Sequence, residues 1–308
     1  MRSLALAFDV GGTSVRGAVV GAADVVMAES RMDTRPGPAV LDDIAQMGER
    51  LLAGLSPTAR AQVTGIGIAF PGLVDSDAGI SRKAVNLGLV DTPVAAPVAE
   101  RLGLPVVVSH DTAAAAGAIW EDAGSPASAL VAVLGTGIAA VTYVEGRAVV
   151  GGSGQAGELG HLVVDPAGPR CSCGLRGCVE AWAGARAMRQ RYAARGGDTG
   201  VTGVADLVAR TRHDPLAAEV WSEAITALAD GFLAVGALLA PGEIILGGGV
   251  AEAGGDLLEP LQARMRERAG VTAVPPVRLS ALGGRAGLVG AARLALTLTR
   301  PGSTGWSA

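Results

Sequence analysis

The chain has 308 residues, nearly half of them apolar and 18% charged, a length that suits about two domains. Its net charge of −4 leaves no basic footprint for nucleic acid. Lys83 is the only lysine and no Gly-Lys-Ser/Thr follows a glycine loop, so a Walker A phosphate site is excluded and any phosphate chemistry must use another device.

The first stretch, MRSLALAFDVGG, does not read as a signal peptide, because its apolar run is short and Asp9 interrupts it. LALAFDVGGTSVRGAVVG reads as strand, glycine turn at Gly11-Gly12, strand. Leu41, Ile44, Met47, Leu51, Leu52 and Leu55 fall at helical spacing over residues 41–55. VTGIGIAF is a buried strand closed by Pro71-Gly72, and a helix is expected at about 93–102. LPVVVSHD is a further strand, and TAAAAGAIWEDAG a helix beginning after it.

The uncharged stretch from Gly124 to Val144 reaches transmembrane length. Gly135, Thr136 and Gly137 split it, so two strands about a tight turn fit better. ALVAVLGTGIAAVTYVEG therefore repeats the N-terminal logic of strand, Gly/Thr turn and strand. This echo predicts two related domains whose glycine turns face a shared cleft. Helices follow from about 180 to 240, then EIILGGGV as strand and glycine turn, and LVGAARLALTL as a last helix that packs back on the first domain. PGSTGWSA reads as a frayed tail. With no export signal recognised, the expectation is a cytoplasmic protein with reduced thiols and no membrane partner.

Three turns lie at the ends of apolar strands: Asp9 to Thr13, Gly135 to Gly137, and Gly247 to Gly249. Glycine lets backbone N–H groups close on an anion, and an aspartate at a strand end can hold Mg²⁺. Any one of them alone could be a plain tight turn. Residues 135–140 and 152–157 match dinucleotide fingerprints in letters only, because neither opens a helix inside a βαβ unit.

All three cysteines, Cys171, Cys173 and Cys178, lie in CSCGLRGC, and His161 precedes them by ten residues in GELGHLVVDPAGPRCSCGLRGC. An odd count fits a disulfide framework poorly, whereas a Cys₃His set can close a structural zinc site. Buried free cysteines beside an unrelated histidine are the alternative. Glu158 and His161 share a face at i, i+3, and Glu180 follows Cys178 by two. Carboxylates fixed by such a knot could accept hydrogen bonds from a polyol. Asp111 ends one strand and starts a helix, which suits either an N-cap or a general base for a hydroxyl.

Taken together, FDVGGTSVRG (8–17), FPGLVD (70–75), the His110-Asp111 of VSHDTAAAAGA, LGTG (134–137), GQAGELGH (154–161), CSCGLRGCVE (171–180) and ILGGGV (245–250) resemble the ROK family of sugar kinases and sugar-responsive repressors. That family lies within the actin/hexokinase-like superfamily. GELGH combined with CSCGLRGCVE is the specific part. The resemblance implies two actin/ribonuclease-H-like α/β domains with a cleft between them. The expected boundaries are 1–112, joined by a C-terminal helix at about 286–300, then 113–285 with the zinc and sugar site, and a tail at 301–308.

The resemblance further implies that Asp9, Gly11, Gly12, Thr13, Gly135, Thr136 and Gly137 hold the phosphates and Mg²⁺ of ATP, and that Gly247, Gly248 and Gly249 border the adenosine. Asp111 would activate a sugar hydroxyl, usually the 6-hydroxyl. Glu158, His161, Glu180, Asn86 and His110 would bind the sugar, and His161, Cys171, Cys173 and Cys178 the structural Zn²⁺. The expected activity is that of a glucokinase-like enzyme, in an assembly of two or four chains. Other sugars (N-acetylglucosamine, N-acetylmannosamine, fructose), polyphosphate as donor, and a catalytically silent sugar-binding regulator are the alternatives. A repressor's N-terminal DNA-binding segment is not expected ahead of a first strand at residue 4. Three departures from the family pattern stand out: His110 where asparagine is usual, Asn86-Leu-Gly-Leu-Val without the usual tryptophan, and Ala139-Ala140 in place of glycines.

Overall fold

The computed structural model of the protein describes residues 3–152 and 154–298; the expected tail at 301–308 lies outside the described residues. The chain divides into two compact units, one formed by residues up to 118 together with those from 285 onward, the other by residues 119–284.

The first unit begins with β1 (Leu4–Val10) and β2 (Ser14–Val20), the hairpin read from the sequence, and β3 (Val26–Asp33) extends it. Then come α1 (Ala39–Ala53), a short α2 (Pro57–Arg60) and β4 (Val63–Phe70). Three short strands, β5 (Leu73–Asp75), β6 (Ile80–Ala84) and β7 (Leu89–Pro93), form a separate small sheet. α3 (Ala95–Leu102), β8 (Val106–His110) and α4 (Asp111–Asp122) follow. The main sheet has the order β3-β2-β1-β4-β8. β2 and β3 run antiparallel, and β4 and β8 run parallel to β1.

A two-residue alternation decides how this sheet is covered. In β1, Leu4, Leu6, Phe8 and Val10 alternate with Ala5 and Ala7; in β4, Ile66, Ile68 and Phe70 alternate with Gly65, Gly67 and Ala69. Successive side chains of a strand point to opposite faces, so one face is bulky and the other nearly bare. The bulky face packs with Val40, Ile44 and Met47 of α1. The bare face takes the last helix so closely that a methyl group on Gly67 would overlap the Ala291 carbonyl oxygen.

The second unit repeats the plan. β9 (Ala129–Leu134), β10 (Ile138–Val144) and the two-residue β11 (Arg147–Ala148) are antiparallel neighbours. After α5 (Val179–Ala183), α6 (Ala185–Ala194), α7 (Val204–Arg210) and α8 (Pro215–Leu239), β12 (Ile244–Gly247) joins β9 in parallel. α9 (Gly255–Arg268) and β13 (Val277–Leu279) complete the unit. Its order, β11-β10-β9-β12-β13, has the same sequence of antiparallel and parallel pairings as the first sheet, so the echo seen between the two hairpins extends to whole sheets.

α8 begins at an Asp214 cap, whose Oδ1 accepts the Leu216 N–H at 2.8 Å, with Pro215 at the first helical position. By length and hydropathy alone it could cross a membrane. Here Val220, Ile225, Leu228 and Phe232 bury its face in the core of the second unit.

The chain then returns to the first unit as α10 (Ala286–Thr297). Arg293 anchors it, pairing with Asp24 at 2.6 Å and donating to the Ala118 carbonyl at 3.0 Å. The division between units falls inside α4, between residues 118 and 119, whereas the sequence reading set it at 112. Gly290 of α10 lies against the backbone of Ala114, which holds the first half of α4 to the first unit. β3 and the small sheet went unread because their strands are short, or carry charges such as Glu29, Arg31, Arg82 and Lys83 on open faces.

Gly67→Ala should lower stability by about 3 kcal/mol, the upper part of the usual range for overpacking. Chemical denaturation followed by circular dichroism would read it. Unchanged stability would mean that α10 does not press on β4 as described.

Candidate functional site

Strands β1, β4 and β8 run parallel and end together: Asp9 pairs with Ala69, and Phe70 with His110. In open α/β sheets ligands bind beyond the carboxyl ends of such strands. Asp9 is the last residue but one of β1, His110 closes β8, and Asp111 opens α4. The turn after Asp9 is tied by Gly11 N–H to the Ser14 carbonyl at 2.9 Å, and the Thr34 hydroxyl donates to the Gly11 carbonyl at 2.7 Å. Gly12 and Thr13 are exposed at its tip. Asn86 lies beside that tip; a methyl group on Gly12 would sit 3.6 Å from Asn86 Cβ. The first unit thus gathers Asp9, Gly11, Gly12, Thr13, Asn86, His110 and Asp111 at one end of its sheet.

The charge of Asp111 bears on Asp9. Burial, and then the nearby Asp111 carboxylate, push Asp9 up to about 6, with Arg16 acting in the opposite direction. Arg16 is the cross-strand partner of Asp9 in the β1–β2 hairpin. At the first turn of α10, a methyl group on Gly287 would sit 2.8 Å from the Asp9 carboxyl carbon, so only glycine leaves that carboxylate in place. Asp111 Oδ1 accepts the Thr112 N–H at 2.6 Å and lies 3.2 Å from His110 Nε2.

In the second unit the β9–β10 turn is closed by Gly135 N–H to the Gly137 carbonyl at 2.9 Å, and Thr136 is exposed. One side chain reaches it from elsewhere. Glu180 Oε2 accepts the Ile138 N–H at 3.0 Å, while its Oε1 accepts the Ser172 hydroxyl at 3.2 Å. A methyl group on Gly137 would lie 2.7 Å from Glu180 Oε2. Gly137 therefore serves Glu180 as well as any phosphate. Of the third turn, Gly247 and Gly248 are buried and Gly249 is exposed. Gly248, at φ +85°, sits against the Leu134 carbonyl, a position that favours glycine on packing grounds alone.

The cysteine turn folds as a small knot. Backbone bridges join Val163 to Cys178 and Arg170 to Arg176, and Cys171 N–H donates to the Leu175 carbonyl at 2.8 Å. One ring nitrogen of His161 and the Sγ atoms of Cys171, Cys173 and Cys178 all lie within 4.8 Å of one another. The Cys173–Cys178 sulfur separation is 3.7 Å, and Cys171 Sγ lies 3.6 Å from His161 Nδ1. Tetrahedral zinc with bonds of ~2.3 Å to sulfur and ~2.1 Å to nitrogen gives edges of about 3.8 and 3.6 Å. The set fits zinc, and a disulfide is far too short for it.

Burial pushes the Cys178 thiol up to about 12, while the Leu175 N–H holds Cys173 below the usual thiol range. A bound dication would reverse the first effect by taking the thiolate. With Nδ1 toward the metal, His161 Nε2 faces Glu158 Oε2 at 3.9 Å. The second unit thus gathers Glu158, His161 and Glu180 around the knot, with the Gly135–Gly137 turn attached through Glu180. Ser172, Thr34, Arg16 and Gly287 were missed by the sequence reading. Of these only Arg16 carried a signal, its alternation onto the Asp9 face of β2.

The ROK family model matches residues 5–298. A glucokinase of Halalkalibacterium halodurans is 31% identical over 308 residues, covering 92% of each chain. An N-acetylmannosamine kinase of Citrobacter koseri is 34% identical over 185 residues, 59% of this chain and 62% of that protein. Among solved structures, the ROK family glucokinase of Streptomyces griseus, in complex with glucose and AMPPNP, superposes with a TM-score of 0.82 at 29% identity, covering 96% of this chain and all of that one.

Two outcomes follow from this geometry. Metal analysis should find one zinc per chain, lost in Cys178→Ser, and chelation should abolish sugar binding while the first unit stays folded; retained sugar affinity after chelation would break the link between knot and pocket. For Asp9, a raised carboxyl stabilises the fold below the unfolded value of 3.8 and loses that contribution as pH rises through about 6. Asp9→Asn should therefore raise the melting temperature of the nucleotide-free protein at pH 8 and not at pH 4. Equal shifts at both pH values would contradict a buried charge at this position.

Proposed function

The chain belongs to the ROK family and is a sugar kinase; from that premise we propose that it transfers the γ-phosphoryl group of ATP to the 6-hydroxyl of a hexose, glucose before others. The observation that carries this reading is the joint presence of Asp111 at the carboxyl end of β8 and of the Glu158–His161–Glu180 group around the cysteine knot.

In this reading the backbone N–H groups of Gly11 to Thr13 and of Gly135 to Gly137 hold phosphate oxygens, and Gly247 to Gly249 border the adenosine. Asp9 would hold Mg²⁺, directly or through water, which suits a carboxylate whose charge is otherwise disfavoured. His161 Nδ1, Cys171, Cys173 and Cys178 would hold zinc, which would supply a fixed cross-link in the second unit. His161 Nε2–H is then a donor, and with Glu158, Glu180, Asn86 and His110 it orients the sugar hydroxyls. Asp111 Oδ2 takes the proton of the attacking hydroxyl as its oxygen bonds the γ-phosphorus and ADP leaves. Positioning and charge stabilisation do most of the work in such a transfer. The same reading puts the protein in the cytoplasm, in an assembly of two or four chains.

The test is an ADP-release assay with ATP across glucose, N-acetylglucosamine, N-acetylmannosamine and fructose, with a polyphosphate arm as donor control. Glucose should give the highest kcat/KM. Asp111→Asn should lose ~10²–10⁴-fold in kcat, the usual contribution of a general base, and still bind sugar by calorimetry. Near-normal turnover in that variant would overturn the role of Asp111. Sugar binding without ADP release from any sugar would instead make the chain a regulator.

A further inference from the structure

Between β3 and α1 the chain runs Thr34-Arg35-Pro36-Gly37-Pro38. Its two ends are bonded to two different parts of the candidate site. The Thr34 N–H donates to the Thr13 carbonyl at 3.1 Å, and the Thr34 hydroxyl to the Gly11 carbonyl at 2.7 Å. Three residues on, the Gly37 N–H donates to the Leu87 carbonyl at 2.7 Å, in the short turn that carries Asn86. The segment has little freedom of its own. Each proline fixes its φ, and Gly37 takes φ +79°, a conformation that favours glycine.

A latch holds the middle. The Arg35 guanidinium donates to Asp43 through Nε, at 2.8 Å to Oδ2, and through Nη2 to Oδ1. Arg35 is 62% exposed and Asp43 only 2%, so a surface arginine reaches down to a buried carboxylate. Exposed ion pairs contribute little, but a buried charge that loses its partner is strongly disfavoured. Among the described residues Arg35 is the only cation paired with Asp43. Asp43 belongs to α1, whose Val40, Ile44 and Met47 pack on the bulky face of the main sheet. The arginine therefore fastens the segment to the sheet that carries Asp9.

We infer that residues 34–37 form a strap, with Thr34 and Arg35 as positioning residues, that couples the turn expected to hold phosphate to the turn expected to hold sugar. The inference rests on the roles given above to Gly11–Thr13 and to Asn86. Neither Thr34 nor Arg35 takes part in the bond changes. Asn86 already stands beside the glycine turn, since a methyl group on Gly12 would sit 3.6 Å from Asn86 Cβ. The strap closes the circuit from the other side, so a ligand that orders one turn also orders its neighbour. Nucleotide and sugar then each bind more tightly in the presence of the other, and linkage makes the factor the same in both directions.

Calorimetry on the full-length protein reads the Kd of glucose alone and with saturating AMPPNP. In the wild type the nucleotide should tighten glucose binding by about fivefold or more, the lower end of usual coupling. Thr34→Val should bring that factor toward one, and Thr34→Ser, which keeps the hydroxyl, should retain it. The pair Arg35→Met with Asp43→Asn removes the latch without leaving a charge buried, and should act as Thr34→Val does. A wild-type factor of one, or a factor unchanged in Thr34→Val and in the paired variant, overturns the strap. A second arm, amide hydrogen exchange, needs no ligand. In the paired variant the Gly11 and Gly88 N–H groups, bonded to the Ser14 and Val85 carbonyls, should both exchange about tenfold faster. Faster exchange at one turn only, or at neither, overturns the strap whether or not the protein is a kinase. Failure of the wild type to bind glucose defeats the proposed substrate instead, and leaves hydrogen exchange to decide the strap.

Discussion

Two carboxylates, Asp9 and Asp111, stand at the ends of strands of one sheet, and like charges placed together resist being ionised at once. Much of the first unit can be understood as the means of keeping them there. Arg16 opposes the burden on Asp9 from across the hairpin, Gly287 leaves room for its carboxylate, and the Thr112 N–H fixes Asp111. Such a pair has little value to a resting protein. It gains value when a cation and a proton-bearing hydroxyl arrive, which is the chemistry of phosphoryl transfer to a sugar.

The second unit meets a different problem, that of making a rigid wall from a loop. Among the described residues of 150–178 there is almost no regular secondary structure beyond one short turn at Leu159–His161, and irregular segments are more mobile than the elements they connect. His161, Cys171, Cys173 and Cys178 bring four atoms that could hold a metal within 4.8 Å of one another, and a metal bound there would provide the missing constraint. Glu180 then carries it outward, because the residue that follows the last cysteine by two is bonded to both Ser172 and the backbone of the β9–β10 turn. A group expected to bind sugar is also a strut for the Gly135–Gly137 turn.

The hairpins, the buried strand at 63–70, the helix at the start of Asp111 and the cysteine–histidine cluster were all legible, since each has a local signal. Alternation marks β1, glycine marks its turn, and soft ligands at short spacing mark the knot. The alternation of Ile with Gly in β4 was legible as a strand but not as a face stripped bare for α10, because that meaning lies in a helix more than two hundred residues away. β3 and the small sheet carry charged, exposed positions that imitate loop composition. The contacts of Ser172 and Thr34 are tertiary, and a lone hydroxyl in a sequence says nothing of what it will reach.

The first unit is not contiguous. Its sheet is written by the first 110 residues, but the helix covering the bare face of β1 and β4 comes from residues 286–297. A ribosome delivers the second unit, 119–284, in one piece before that helix emerges. The second unit can therefore settle on its own contacts as it leaves the tunnel, while the first must wait with an alanine- and glycine-lined surface open to water. A premature stop before α10 would leave the second unit complete and the bare face of the first unit uncovered.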